Sequence, residues 1–144
     1  QLDSSNTQAL EKAMRMYNGK AMINSVNGKQ SSMNEVFPLV QKYGGVVVCL
    51  CLDESGIPET AQGRIDIAKK IIKTAESYGI DKKDLVVDAL VMTISTNKDN
   101  AKETLKAVDY IRHELGVGTV LGVSNISFGL PKREAINTAF FTCS

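Results

Sequence analysis

The sequence has no tryptophan and only one histidine and three cysteines among its 144 residues. The single histidine, His113, cannot complete a metal cluster with cysteines that lack zinc-like spacing, so we expect no metal ligands in this chain. We expect Cys49, Cys51 and Cys143 to be reduced thiols, which is the simplest interpretation for a cytoplasmic protein.

The chain also lacks a charge excess and any long apolar run. Seventeen basic residues against sixteen acidic ones leave a formal charge of +1, which gives no electrostatic reason to expect nucleic acid as a partner. No apolar run approaches the ~20 residues that a membrane span needs, so we expect no membrane partner either. The remaining composition, 43% hydrophobic and 23% charged, is typical of a single globular domain.

Apolar residues at helical spacing predict five helices. Four of the periodic segments are followed by a glycine, as helix C-termini favour: Gly19, Gly44, Gly79 and Gly116. We expect the second helix to begin at Ser32, where Glu35 would complete a capping box. We expect the fifth helix to begin at Pro131, since proline suits the first helical position.

Short β-rich runs lie between the helices. They cover residues 21–23, 46–52, 85–87 and 119–123, and Leu2 resembles the end of a further strand. The runs are continuously apolar rather than alternating, which indicates parallel strands buried on both faces. The sequence therefore predicts an α/β protein with a parallel sheet. Two architectures fit: a flavodoxin-like doubly wound domain, and part of a (β/α)8 barrel.

Every predicted strand is followed by an aspartate or an asparagine. These residues are Asp3, Asn24, Asp53, Asp88 and Asn125. In both architectures ligands bind at the carboxyl ends of the strands, so the five positions are candidates for a site. Turns and helix caps also favour these residue types, and we interpret Asp53 as part of an ordinary turn.

Asp88 is harder to explain as a turn residue. It stands in an otherwise apolar run, and burying a carboxylate without partners would cost several kcal/mol. Carboxylates and amides at one edge could bind a flat heterocycle rich in N–H and C=O groups. A phosphate site is disfavoured because the charges have the wrong sign and no glycine-rich phosphate loop is present.

Five segments together carry a resemblance to a known family: LDSSNTQAL, AMINSVNG, LDESGIP, VVDAL and LGVSNISFGLPKREAIN. The chain resembles the pterin-binding methyltransferases, which move the methyl group of 5-methyltetrahydrofolate onto the Co(I) centre of a corrinoid protein. The family includes the corrinoid iron-sulfur protein methyltransferase and the folate module of cobalamin-dependent methionine synthase. The resemblance implies a (β/α)8 TIM-barrel fold, an enzyme, 5-methyltetrahydrofolate as substrate, and a corrinoid protein as partner.

The resemblance also implies roles for individual residues. Asp3, Asn24 and Asp88 would hold the pterin ring, with Asp88 accepting hydrogen bonds from its N3–H and 2-amino groups. Asn125 would be the catalytic residue, close to N5. Two further positions match the family pattern near the ligand, Ser124 and Arg133. Where relatives commonly have Asp-Pro, this chain has Asp88-Ala89, a difference expected to affect loop stiffness.

Alternatives remain beside this interpretation. Dihydropteroate synthase shares the barrel and the pterin-holding residues, but it needs cations for a diphosphate, and Arg133 is the only nearby one. A corrinoid-binding domain is disfavoured because the lone histidine is not in an Asp-x-His-x-x-Gly loop. An inactive fragment is the third alternative.

We expect residues 1–144 to be one domain truncated at both ends, corresponding to strands 3 to 7 of the barrel. An open barrel exposes strand edges, so we expect a homodimer or larger oligomer.

Overall fold

Strands and helices alternate along the chain in the computed structural model, which describes residues 1–144. The strands are β1 (Leu2–Asp3), β2 (Met22–Asn27), β3 (Val46–Leu50), β4 (Leu85–Asp88) and β5 (Gly118–Val120). The helices are α1 (Thr7–Met16), α2 (Gln30–Tyr43), α3 (Ala61–Ser77), α4 (Asn100–His113) and α5 (Arg133–Cys143). Two short 3-10 helices, Lys82–Asp84 and Val123–Ser127, complete the chain.

The five strands form one parallel sheet in the order β1-β2-β3-β4-β5. A doubly wound domain would reverse its strand order at a switch point, whereas a (β/α)8 barrel adds each strand beside the previous one. The sequential order therefore decides against the flavodoxin-like alternative. The predicted α/β class is confirmed, and the sheet is consistent with an arc of a TIM barrel.

The two faces of the sheet differ in their surroundings. Side chains alternate between the faces, and one set, which includes Ile23, Val47, Cys49 and Val87, is 0% exposed. This set belongs to a core of 26 buried residues that also takes in the apolar sides of α1–α4. The other face is apolar too but less covered, and Val120 on β5 is 42% exposed. The main core thus lies between the sheet and one layer of helices.

Two helices begin elsewhere than the sequence predicted. Helix α2 begins at Gln30 rather than Ser32, because the Ser32 hydroxyl accepts a hydrogen bond from the backbone N–H of Asn27 (3.2 Å) instead of capping the helix. Helix α5 begins at Arg133 rather than Pro131, since Lys132 adopts a left-handed conformation (φ 53°) that interrupts the helical backbone.

The three cysteines form no disulfide, and Cys49 and Cys51 are buried side by side at the end of β3. Burial raises the pKa of Cys51 to about 12, with the nearby Asp88 carboxylate as a second cause. Both thiols therefore stay protonated at neutral pH and act as small apolar core residues. No helix has the length and apolar content needed to cross a membrane.

A hydrogen-bonded cluster joins α1 to α2 at the surface. Glu11 Oε1 accepts hydrogen bonds from Tyr43 Oη (2.8 Å), Arg15 Nη2 (3.0 Å) and Lys42 Nζ (3.2 Å). These three donors, the tyrosine hydroxyl first, hold the pKa of Glu11 at about 2, below its ordinary value of 4.5. The contribution of Glu11 to the α1–α2 contact is therefore greatest while Glu11 is ionised, and the hydrogen bond from Arg15 Nε to Tyr43 Oη (2.8 Å) joins the two helices independently of that charge.

We expect Glu11→Gln to be less stable than the wild type at neutral pH and equally stable in strong acid. A lowered pKa in the folded state contributes stability above the unfolded value, and that contribution is lost as pH falls from 4.5 to about 2. Urea unfolding across this range checks the prediction, with Glu54→Gln, in an exposed turn, as the control. Parallel stability profiles for wild type and Glu11→Gln would contradict it.

Candidate functional site

The polar residues of the predicted site lie at the carboxyl edge of the sheet. Strand pairing places Asp3 opposite Asn24, and places Asp88 opposite Leu50 on one side and Val120 on the other. Residues paired across neighbouring strands point to the same face, so these pairings set which side chains can converge.

Asp3 and Asn24 form the first part of the site. Asn24 Nδ2 donates a hydrogen bond to Asp3 Oδ2 (3.1 Å), and both residues line a mostly polar cleft of about 370 Å³. The sequence predicted that the strand would end at Ile23, but β2 continues to Asn27. The pairing register shifts between Asn24 and Val26, so Ser25 is an extra residue at a bulge.

Asp88 ends β4 and is half-buried. Its Oδ1 accepts a hydrogen bond from the backbone N–H of Leu90 (2.8 Å), and Leu90 adopts a positive φ of 61° to provide it. Burial raises the pKa of Asp88, and the Leu90 N–H only partly opposes this effect. The Asp88 carboxylate receives no other hydrogen bond from the chain, so most of its capacity to accept is unused. The Asp88 backbone carbonyl accepts from the N–H of Cys51 (3.0 Å).

Asn125 lies in the 3-10 helix Val123–Ser127, which we call the Asn125 segment. Its backbone N–H donates to the carbonyl of Gly122 (3.0 Å), and its exposed side-chain amide makes no hydrogen bond within the chain. A Cβ at position 122 would lie 2.9 Å from Asn125 Nδ2. Glycine at 122 therefore leaves the space that the Asn125 amide occupies.

Ser124 and Arg133 are brought together, but through a backbone atom. Arg133 Nη2 donates to the Ser124 carbonyl (2.8 Å), and Arg133 Nε donates to Ser127 Oγ (3.1 Å). Ser127 Oγ in turn donates to Asn137 Oδ1 (2.7 Å). The sequence analysis did not predict roles for Ser127 and Asn137. The surrounding sequences, SNIS and REAIN, contain no motif from which these hydrogen bonds could be predicted.

Asp53 lies outside this arrangement. Its backbone exchanges two hydrogen bonds with Gly56, each of 3.1 Å, and its side chain accepts from the N–H of Ser55 (2.8 Å). These are the contacts of a tight turn, as predicted.

The six candidate residues form two bonded pairs, Asp3 with Asn24 and Ser124 with Arg133. Asp88 and Asn125 bond to none of them. Asp88 ends β4 and Asn125 lies in the segment that follows β5, so both come after the carboxyl ends of strands.

Carboxylate and amide groups with unused hydrogen-bonding capacity along one edge suit a heterocycle that carries both donors and acceptors. The family model described as pterin binding enzyme matches residues 1–144. The chain belongs to the pterin-binding enzyme family. The resemblance found in the sequence is thereby confirmed at the level of the family.

Three curated relatives show how this pterin-binding chain compares with longer proteins. It is 35% identical to methionine synthase of Mycobacterium tuberculosis and 34% identical to that of Mycobacterium leprae, in each case over 96% of this chain and 13% of the relative. It is 27% identical to methylcorrinoid:tetrahydrofolate methyltransferase of Eubacterium limosum, over 99% of this chain and 54% of the relative. The chain therefore spans about an eighth to about half of the relatives it matches.

We expect Asp88→Asn to unfold at a temperature higher by a few degrees at neutral pH and to bind pterins far more weakly. Because burial raises the pKa of Asp88 above its ordinary 3.8, the charged form costs stability as pH rises through the folded pKa, and an amide avoids that cost. The amide still accepts from Leu90, but it replaces a charged acceptor with a neutral group.

Thermal unfolding at neutral pH and at a pH below the ordinary carboxyl pKa checks the stability part, because the difference between variant and wild type should shrink in acid. Calorimetric titration with a pterin checks the binding part. A variant that is less stable at neutral pH would show that the desolvation cost of Asp88 is not the dominant effect.

Proposed function

We propose that residues 1–144 act as a methyltransferase unit that moves the methyl group of 5-methyltetrahydrofolate from N5 to the Co(I) centre of a corrinoid protein. The name of the Eubacterium limosum relative describes methyl transfer between a corrinoid and tetrahydrofolate, and family membership supports a pterin as the bound ring. The observation that carries the proposal is the pair of unused groups at one edge, the half-buried Asp88 carboxylate and the free Asn125 amide.

Asp88, Asp3 and Asn24 would hold the pterin ring. A half-buried carboxylate is a strong acceptor for adjacent N–H groups, and the N3–H and 2-amino groups of a pterin present two such donors side by side. The Asp3–Asn24 pair is already oriented by its own hydrogen bond, which leaves the second carboxylate oxygen and the amide oxygen available. The ring would thus be bound by polar groups fixed before the ligand arrives.

Asn125 would act at N5. The methyl group leaves as a methyl cation equivalent, the electron pair of the N5–C bond stays on N5, and N5 gains a proton from solvent. The corrinoid of the partner supplies the Co(I) nucleophile. The amide oxygen of Asn125 would accept a hydrogen bond from N5–H, and this bond strengthens as positive charge develops on N5. Stronger binding of the transition state than of the substrate lowers the barrier, and no histidine is needed at the site.

The same contacts serve transfer in either direction, because a catalyst lowers the barrier of the forward and reverse reactions equally. The Eubacterium limosum name states transfer from the corrinoid to tetrahydrofolate. We propose the direction from folate to corrinoid for this chain, with the relative concentrations of the substrates setting the net direction.

Dihydropteroate synthase activity has less support. Its diphosphate substrate calls for cationic side chains, and Arg133, the cation beside the Asn125 segment, already donates to Ser124 and Ser127.

We further propose a cytoplasmic setting, supported by the three free cysteines. A homodimer or larger oligomer is proposed from the partly exposed apolar face of the sheet, where Val120 lies.

The test of binding is calorimetric titration of the chain with 5-methyltetrahydrofolate, with Asp88→Ala as the variant and Glu54→Ala, in the exposed turn, as the control. We expect saturable binding by wild type and control, and binding weakened by about a hundredfold or more in Asp88→Ala, because the charged acceptor for two N–H groups is lost. A folded wild-type chain that does not bind would identify the chain as an inactive fragment.

A separate prediction concerns catalysis. With free cob(I)alamin as acceptor, we expect Asn125→Ala to lower kcat by roughly a hundredfold, the typical effect of removing one hydrogen-bonding group that acts at the transition state. Gly122→Ala should lower kcat in the same direction while leaving the fold intact, because its Cβ would meet the Asn125 amide. Loss of the Co(I) absorbance reports the rate. Unchanged kcat in both variants would exclude Asn125 from the reaction.

A further inference from the structure

The buried polar side chains of this protein lie in α3, in α4 and in the Asn125 segment. Four polar or charged residues are buried, namely Arg64, Asn100, Thr104 and Ser127. Ser127 lies within the Asn125 segment, and Asn100 and Thr104 lie in the first turns of α4, which follows the loop after Asp88. Buried polar groups are costly unless they are paired, so their partners define a part of the structure that is held firmly.

The loop between β4 and α4, residues 89–99, is hydrogen-bonded directly to the Asn125 segment. Thr93 Oγ1 donates to the carbonyl of Phe128 (2.9 Å), and Ser95 Oγ donates to the same oxygen (3.2 Å). The backbone N–H of Ile94 donates to the carbonyl of Ile126 (3.0 Å). Carbonyl groups one and three residues beyond Asn125 are thus fixed by this loop.

The backbone carbonyl of Thr93 is hydrogen-bonded to one of the buried polar residues, and that residue is bonded in turn to the others. Asn100 Nδ2 donates to the carbonyl of Thr93 (2.8 Å), and Thr104 Oγ1 donates to the carbonyl of Asn100 (2.8 Å). Arg64 Nη1 donates to Thr104 Oγ1 (2.6 Å), and Arg64 Nε donates to the carbonyl of Pro58 (2.9 Å). A continuous series of hydrogen bonds therefore runs from α3 through α4 to the Asn125 segment.

This series matters because the Asn125 side chain has no partner of its own. Its amide makes no hydrogen bond within the chain, so its position depends on the backbone that carries it. The β4–α4 loop begins directly after Asp88 and reaches the Asn125 segment through the Ile94–Ile126 hydrogen bond, while Thr93 bonds Phe128, the residue directly after the segment. The loop therefore connects the residue proposed to bind the pterin with the residue proposed to act at N5.

We propose that Thr93, supported by Asn100, is a positioning residue that fixes Asn125 at a set place relative to Asp88. The proposal rests on the proposed function and adds a residue outside the candidate set. Thr93 does not contact the substrate in this account; its hydroxyl holds the carbonyl of Phe128, and through it the backbone of the Asn125 segment.

A positioning residue has a distinct kinetic signature. A shift of about 1 Å in a reacting group can cost on the order of a hundredfold in rate. The pterin ring would remain bound by Asp3, Asn24 and Asp88, so the KM for 5-methyltetrahydrofolate should change little. Loss of the Thr93 hydroxyl should therefore appear in kcat, whereas general destabilisation of the fold would change both constants or the amount of active protein.

The test compares three variants of the full chain. Thr93→Val removes the hydroxyl and keeps the shape of the side chain, and Thr93→Ser restores a hydroxyl. Thr74→Val makes the same chemical change in α3, where the hydroxyl bonds only the carbonyl of Lys70 in its own helix. Each variant is measured for kcat and KM with 5-methyltetrahydrofolate and free cob(I)alamin, and for amide hydrogen exchange of residues 123–128.

In Thr93→Val we expect kcat to fall by roughly ten- to a hundredfold, KM to change by less than about threefold, and exchange of residues 123–128 to quicken by about tenfold. Thr93→Ser should recover most of the rate, and Thr74→Val should match the wild type. Wild-type kcat and exchange in Thr93→Val would overturn the positioning role alone. A wild-type chain that neither binds nor turns over 5-methyltetrahydrofolate would overturn the proposed function instead.

Discussion

Parallel pairing of the strands in chain order is the constraint on which the other features depend. Because each strand lies beside its predecessor, every connection crosses on the same side, and α1–α4 pack on one face of the sheet. The same pairing collects all five carboxyl ends at one edge, where side chains far apart in sequence become neighbours. The hydrogen bond between Asp3 and Asn24, 21 positions apart, is a direct product of this arrangement.

The site leaves hydrogen-bonding capacity available in two different ways. The Asp88 carboxylate is half-buried and receives one hydrogen bond from the chain, so a hydrogen-bond donor placed beside it would be bound favourably. The Asn125 side chain stays in contact with solvent, and its amide makes no hydrogen bond within the chain. The buried groups behind them, such as Thr104, are paired within the protein instead. In the proposed function the Asp88 carboxylate and the Asn125 amide would face the pterin, and paired groups such as Thr104 would support them.

The sequence was sufficient for the fold class, the number of helices and strands, and the polar residues at the strand ends, because periodicity and the apolar-to-polar change are local signals. It misplaced the starts of two helices, ended β2 too early at Ile23, and extended β3 to residue 52 and β5 to residue 123, beyond their ends at Leu50 and Val120. These boundaries depend on contacts such as Ser32 with Asn27, which form only once the chain has folded. Thr93 was missed for the same reason, since its partner Phe128 lies 35 residues away.

Gly122 has a consequence for how variation in this family should be interpreted. Its φ of −78° is open to any residue, so the backbone does not require glycine there. A Cβ at position 122 would meet the Asn125 amide, which is the movable end of a side chain, so alanine there would displace the amide rather than the backbone. Under the role proposed for Asn125, a survey of variants scored by folding or abundance would classify position 122 as permissive, and one scored by turnover would classify it as restricted. A position where substitutions lower turnover but leave folding and abundance unchanged is one whose residue is needed for the reaction rather than for the fold.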